Sequence, residues 1–166
     1  DRGLCGAFNN NVIKAVNRLV EEKYSSQLAA GNVALMAIGK KGHEFFAKRN
    51  ANLVGNYTHV FQNLSFDTVR EAAERAMNGF STGEFDKVEI VYNEFKNVAT
   101  QIVRMEQFLP IEQTQDETEV AENNQVLDYL FEPSKEEIIE ELIPKSLKIQ
   151  VYKAVLESNA SEHGAR

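Results

Sequence analysis

An α/β fold with a partly parallel sheet is what this sequence predicts, and three observations carry the prediction. Apolar residues at spacings of three and four mark helices, short continuous or alternating apolar runs mark strands, and glycine or proline closes the segments. The resulting order of strand, helix, strand, helix and then a strand pair describes a layered domain with an antiparallel edge.

Along the chain, Asp1 to Asn10 (DRGLCGAFNN) opens on a glycine-punctuated turn that holds the single cysteine. Phe8, Val12, Ile13, Val16, Leu19, Val20 and Tyr24 then share one helical face, and Gly31 stops that helix. Val33 to Ile38 (VALMAI) is a continuous apolar run, the pattern of a strand covered on both faces. A second helix is expected around Gly42 to Arg49. The stretch from Asn50 to Leu64 has no periodicity and reads as a loop with a short strand. Ser65 offers an N-cap, Asp67 suits the positive end of the helix dipole, and Phe66, Val69, Ala73, Ala76 and Phe80 continue at three-four spacing.

Lys87 to Tyr92 (KVEIVY) alternates as a strand. Val98 to Leu109 reads as a second strand ended by Pro110, the two forming a hairpin across four or five residues. Ile111 to Gln125 is acidic and poor in apolar residues, so a solvated loop is expected. Ser134 with Glu137 forms a capping box for a short helix to about Leu142. Pro144 is tolerated only in a first turn, so a new helix restarts there, with Leu147, Val151 and Val155 four apart on it. That stripe is expected to be left partly uncovered. The organisation is an α/β domain over 1–132 followed by a helical segment over 133–166.

Composition narrows the function. The chain has 166 residues, 43% of them hydrophobic, enough for a compact core. One cysteine excludes an internal disulfide framework, and with three histidines no cluster of zinc-binding spacing is available. A net charge of −7 argues against a nucleic-acid partner, which needs a basic surface to displace counterions. Glu106, Glu112, Asp116, Glu117, Glu119, Glu122, Asp128 and Glu132 lie in a stretch without Lys or Arg, and the rest of the chain is near charge balance. The apolar run Val33 to Ile38 is far short of the ~20 residues that cross a bilayer, so no direct membrane span is expected.

No stretch spells out an active site. Gly3-Leu4-Cys5-Gly6-Ala7 precedes a helix but is not GxGxxG, and a structural turn is the favoured reading. Gly39-Lys40-Lys41-Gly42 follows a strand, yet it lacks the upstream glycine and the Ser or Thr after lysine that a P-loop requires. Cys5 would need a base beside it to act as a nucleophile, and nothing in the sequence brings His43 or His59 there. Glu162-His163 lacks the second histidine of HExxH. No catalytic residue, cofactor or metal ligand is assigned. The alternative reading is a small nucleotide-binding or redox enzyme using Cys5 or the Gly39–Gly42 loop.

The two ends are more specific. Asp1 to Asn9 (DRGLCGAFN) resembles the SDRGLCGxxN turn of the gamma subunit of F-type ATP synthases, and Leu156 to Arg166 (LESNASEHGAR) resembles that family's LESxASEHxAR segment. Asp128 to Pro133 (DYLFEP) is similar to its DYLxEP turn, and Gln150-Val151-Tyr152 to its QxY step. The resemblance implies a Rossmann-like layered domain with a mostly parallel sheet, an antiparallel edge hairpin and the start of a long C-terminal coiled-coil helix. The opening turn would then follow a sheet strand lying upstream. It further implies a central rotor passing torque between a proton-driven c-ring and the catalytic alpha and beta subunits, without hydrolysing ATP itself. The epsilon subunit would sit on the globular domain, and Tyr129, Phe131 and Glu132 would face the c-ring. A peripheral place on the cytoplasmic face of a bacterial inner membrane follows, a mitochondrial setting being the second choice. The single cysteine excludes the dithiol regulatory loop of the chloroplast version.

Overall fold

The computed structural model describes residues 6–97, 100–111 and 143–165. Helix α1 (Gly6–Lys23) buries Ile13 and half-buries Val12, Val16, Leu19 and Val20, the face that the spacing selects. It ends before Gly31 because the chain bends at Tyr24. Ser25 and Ser26 follow, residues that compete for backbone hydrogen bonds, and they open the short helix α2 (Ser25–Ala29). Gly31, at φ +76°, then turns the chain.

The apolar run 33–38 is extended but half-buried, and it meets the next segment in two isolated parallel bridges, Leu35 with Leu53 and Ile38 with Tyr57. Leu35 donates its N–H to Asn52 at 2.8 Å and accepts from Val54 at 2.8 Å. Between the two bridged positions Gly55 adopts φ +69°, which breaks the ladder. The parallel part of the sheet is therefore slender among the described residues, and the continuous ladder is the antiparallel hairpin. Helix α3 (Lys40–Lys48) starts two residues earlier than the sequence suggests, directly from Gly39 at φ +114°.

A 3₁₀ turn at Val60–Gln62 leads to α4 (Phe66–Ser81). Ser65 caps it as expected: the Thr68 N–H donates to Ser65 Oγ at 3.3 Å while the Ser65 N–H donates to Thr68 Oγ1 at 3.1 Å. Threonine here takes the reciprocal role that Glu or Gln usually fills. The buried face of α4 is Val69, Ala72, Ala73, Ala76 and Gly79, small residues that let a neighbouring helix come close.

Strands β1 (Val88–Asn97) and β2 (Thr100–Leu109) pair antiparallel from Val88↔Leu109 to Asn97↔Thr100. The hairpin connection is tighter than the sequence suggests, because β1 runs five residues past Tyr92. Helix α5 (Ile143–Ala165) carries Pro144 in its first turn, as expected. Its stripe is covered: Leu147, Val151 and Val155 are 9%, 7% and 6% exposed. That corrects the expectation of an open face. They join Val60, Val69, Ala73, Phe108 and Leu109 in one core, so α4, the hairpin and α5 are held by the same apolar cluster. Residues 112–142, which contain the acidic stretch, the Ser134 capping box and the expected division at 132/133, lie outside the described set.

Candidate functional site

The feature that ties the long C-terminal helix to the rest of the domain is the seam where α5 meets β1. β1 gives one edge to β2, and alternate N–H groups along its other edge would be buried unpaired unless something met them. Adjacent residues of α5 do so. Ser158 Oγ accepts the Asn93 N–H at 3.2 Å, and Glu157 Oε2 accepts the Phe95 N–H at 2.8 Å. Residues 93 and 95 present their amides on the same side because side-chain and backbone directions repeat every two residues in a strand. Asn93 is 2% exposed, while Phe95, Glu157 and Ser158 are half-buried, so the two bonds lie at a partly covered interface.

Polar contacts frame the seam. Lys148 Nζ stands 3.1 Å from Glu74 Oε1, tying α5 to α4, and Phe66 meets Tyr152 edge-on with ring centroids 5.6 Å apart. Across the hairpin, the Tyr92 hydroxyl donates to Glu106 at 2.8 Å. Burial first, and this carboxylate second, push the phenol well above its usual range. Glu94 pairs with Arg104 on the same ribbon. At the start of β1, Lys23 Nζ lies 2.7 Å from Glu89 Oε1 and so anchors α1. Burial would raise the Glu89 carboxyl, but the hydrogen bond from Lys23 and the nearby Tyr24 hydroxyl outweigh it and hold it below its ordinary value. The Tyr24 hydroxyl and Glu89 Oε2 are both buried and fall short of full hydrogen-bond geometry, yet the hydroxyl is close enough to favour the ionised acid.

The residues singled out from sequence fare unequally. Gly39 is buried at the head of α3, and Lys40 turns back to Glu44 at 4.0 Å. His43 is half-buried on α3 and His59 is exposed in the turn before Val60. Among the described residues no group of three or more His, Cys, Asp or Glu is placed to hold a metal ion. Cys5 and the three proposed ring contacts, Tyr129, Phe131 and Glu132, fall outside the described residues. Glu157 and Ser158 lie within the LESNASEHGAR segment, and nothing in that segment names the strand they bind. The signal was a polar pair beside the apolar stripe of the same helix.

The family model described as ATP synthase matches residues 1–166. The ATP synthase gamma chain of Cytophaga hutchinsonii is 60% identical over the whole chain, which covers 56% of that relative, and the gamma chain of Chlorobium luteolum is 49% identical, with 55% of it covered. The chain thus spans about half the length of these curated relatives. The fold is shared with a cryo-EM structure of the Tetrahymena thermophila mitochondrial ATP synthase central stalk and c-ring: TM-score 0.60, 23% identity, 99% of this chain and 68% of that one. It is shared likewise with the Euglena gracilis mitochondrial ATP synthase rotor: TM-score 0.62, 19% identity, 99% of this chain and 60% of that one. With a family model matched from first residue to last and both end motifs in place, this chain belongs to the ATP synthase family, alongside the gamma chains it resembles.

Proposed function

We propose that the chain forms the body of the central rotor subunit of a proton-translocating F-type ATP synthase, passing torque between the membrane c-ring and the catalytic alpha-beta hexamer. The observation that carries this reading is the ATP synthase family match over residues 1–166 together with 60% identity to a gamma chain over the same residues. The seam supports it, because a long helix fixed to a sheet by apolar and polar contacts together suits a part that must turn without deforming. In this reading the subunit is non-catalytic. It is also peripheral: no helix among the described residues is long and apolar enough to cross a membrane. The bacterial relatives favour the cytoplasmic face of an inner membrane. The epsilon subunit docks on the globular body. Tyr129, Phe131 and Glu132 face the polar loops of the c-ring, aromatics beside one carboxylate being suited to a compact contact.

The complete subunit, coexpressed with alpha, beta, epsilon and c subunits, is expected to copurify with them and to support ATP-driven proton pumping in vesicles. Alanine at Tyr129, Phe131 and Glu132 is expected to lower pumping more than hydrolysis. Absence of the subunit from the purified complex would overturn the reading. Calorimetric titration with ATP, ADP and flavin nucleotides is expected to show no specific heat. Micromolar binding abolished by Lys40→Ala or Cys5→Ala would instead favour the enzyme reading.

A further inference from the structure

We infer that Glu157 and Ser158 are positioning residues that set the rotational phase of α5 against the hairpin, so that load on the helix axis reaches the body through two backbone amides of β1. Resting on the rotor reading above, the inference adds a mechanism that the reading does not contain. Leu147, Val151 and Val155 explain why α5 docks, but apolar contact has no direction and tolerates sliding and rolling. The polar pair does not. Successive helix residues point about 100° apart, whereas Asn93 and Phe95 present their N–H groups on one line along the strand edge. Both bonds close in one register and one rotation of α5, and a roll of a single residue position opens both.

The pair also differs in strength. The Glu157 contact at 2.8 Å joins an amide to a carboxylate, which makes it the firmer anchor, and the Ser158 contact at 3.2 Å is the weaker guide. The Asn93 amide belongs to a residue 2% exposed and the Phe95 amide to a half-buried one, so opening the latch leaves the first donor, and in part the second, short of an acceptor, and the docked register is favoured over its neighbours.

The test has two arms on the complete subunit. Amide exchange read by mass spectrometry over β1 is expected to rise about tenfold in the Glu157→Ala, Ser158→Ala double variant, while exchange in α4 and β2 stays near wild type. Glu157→Gln and Ser158→Thr keep an acceptor oxygen and are expected to stay protected. In the reconstituted complex, protons pumped per ATP hydrolysed is expected to fall for the double alanine variant with hydrolysis retained, and to be restored by Gln and Thr. Unchanged exchange over β1, a rise spread across the whole subunit, an unchanged pumping ratio, or Gln behaving like Ala would each overturn the latch. If the wild-type complex itself failed to pump, the rotor reading would fall, and the exchange arm would still judge the latch.

Discussion

A Cβ built on Gly79 would stand 2.3 Å from the Phe85 ring and 3.1 Å from the Arg75 guanidinium. The ring is held there because Arg75 lies over it, 5.4 Å from its centroid, and grips Glu84 through two bonds of 2.6 and 2.9 Å. That grip holds the Glu84 carboxyl below its usual value. Gly79→Ala is therefore expected to force the ring out and to destabilise the fold by about 1–3 kcal/mol, read as a lower urea midpoint. Glu89 makes the second prediction at this scale. Its depressed folded-state pKa contributes stability that is complete above the unfolded value of 4.5 and is lost as the pH falls through the folded value. The hydrogen bond to Glu89 raises Lys23, whose share is complete below its own unfolded value and lost only in strong alkali. The gap in denaturant midpoint between wild type and Glu89→Gln should thus stay constant from neutral pH down to about pH 5 and close below it. A gap that stayed constant on acidification for as long as the fold survives would contradict the assignment.

Among the elements, α4 was the most legible, because Ser65, Asp67 and the three-four spacing all agree on one helix with one buried face. The second half of β1 was not. Asn93, Glu94 and Lys96 carry no alternating apolar pattern, and they are held extended by β2 on one side and by side chains of α5 on the other. The stripe Leu147, Val151 and Val155 was visible in the sequence, but its cover was not, since spacing names a face and never its partner. Truncating that face tests how far the element depends on the cover. Leu147→Ala is expected to cost about 2–5 kcal/mol and to shift helical and aromatic circular-dichroism transitions together, because α5 shares its core with α4 and the hairpin. Two separated transitions would show instead that α5 melts alone.

For the whole molecule, the family was readable from the ends of the chain, while the working contact between α5 and β1 was not. Glu157 and Ser158 gain their role from amides more than sixty positions away, a relation that neither periodicity nor propensity encodes. The same three-dimensional placement separates the three methionines. Met36 and Met77 lean on the core, whereas Met105 is 53% exposed on β2. Dilute peroxide will therefore oxidise Met105 first. Its sulfur is a native footprinting probe: slower sulfoxide formation there on assembly would map which neighbour covers the outer face of the ribbon, without any label being introduced.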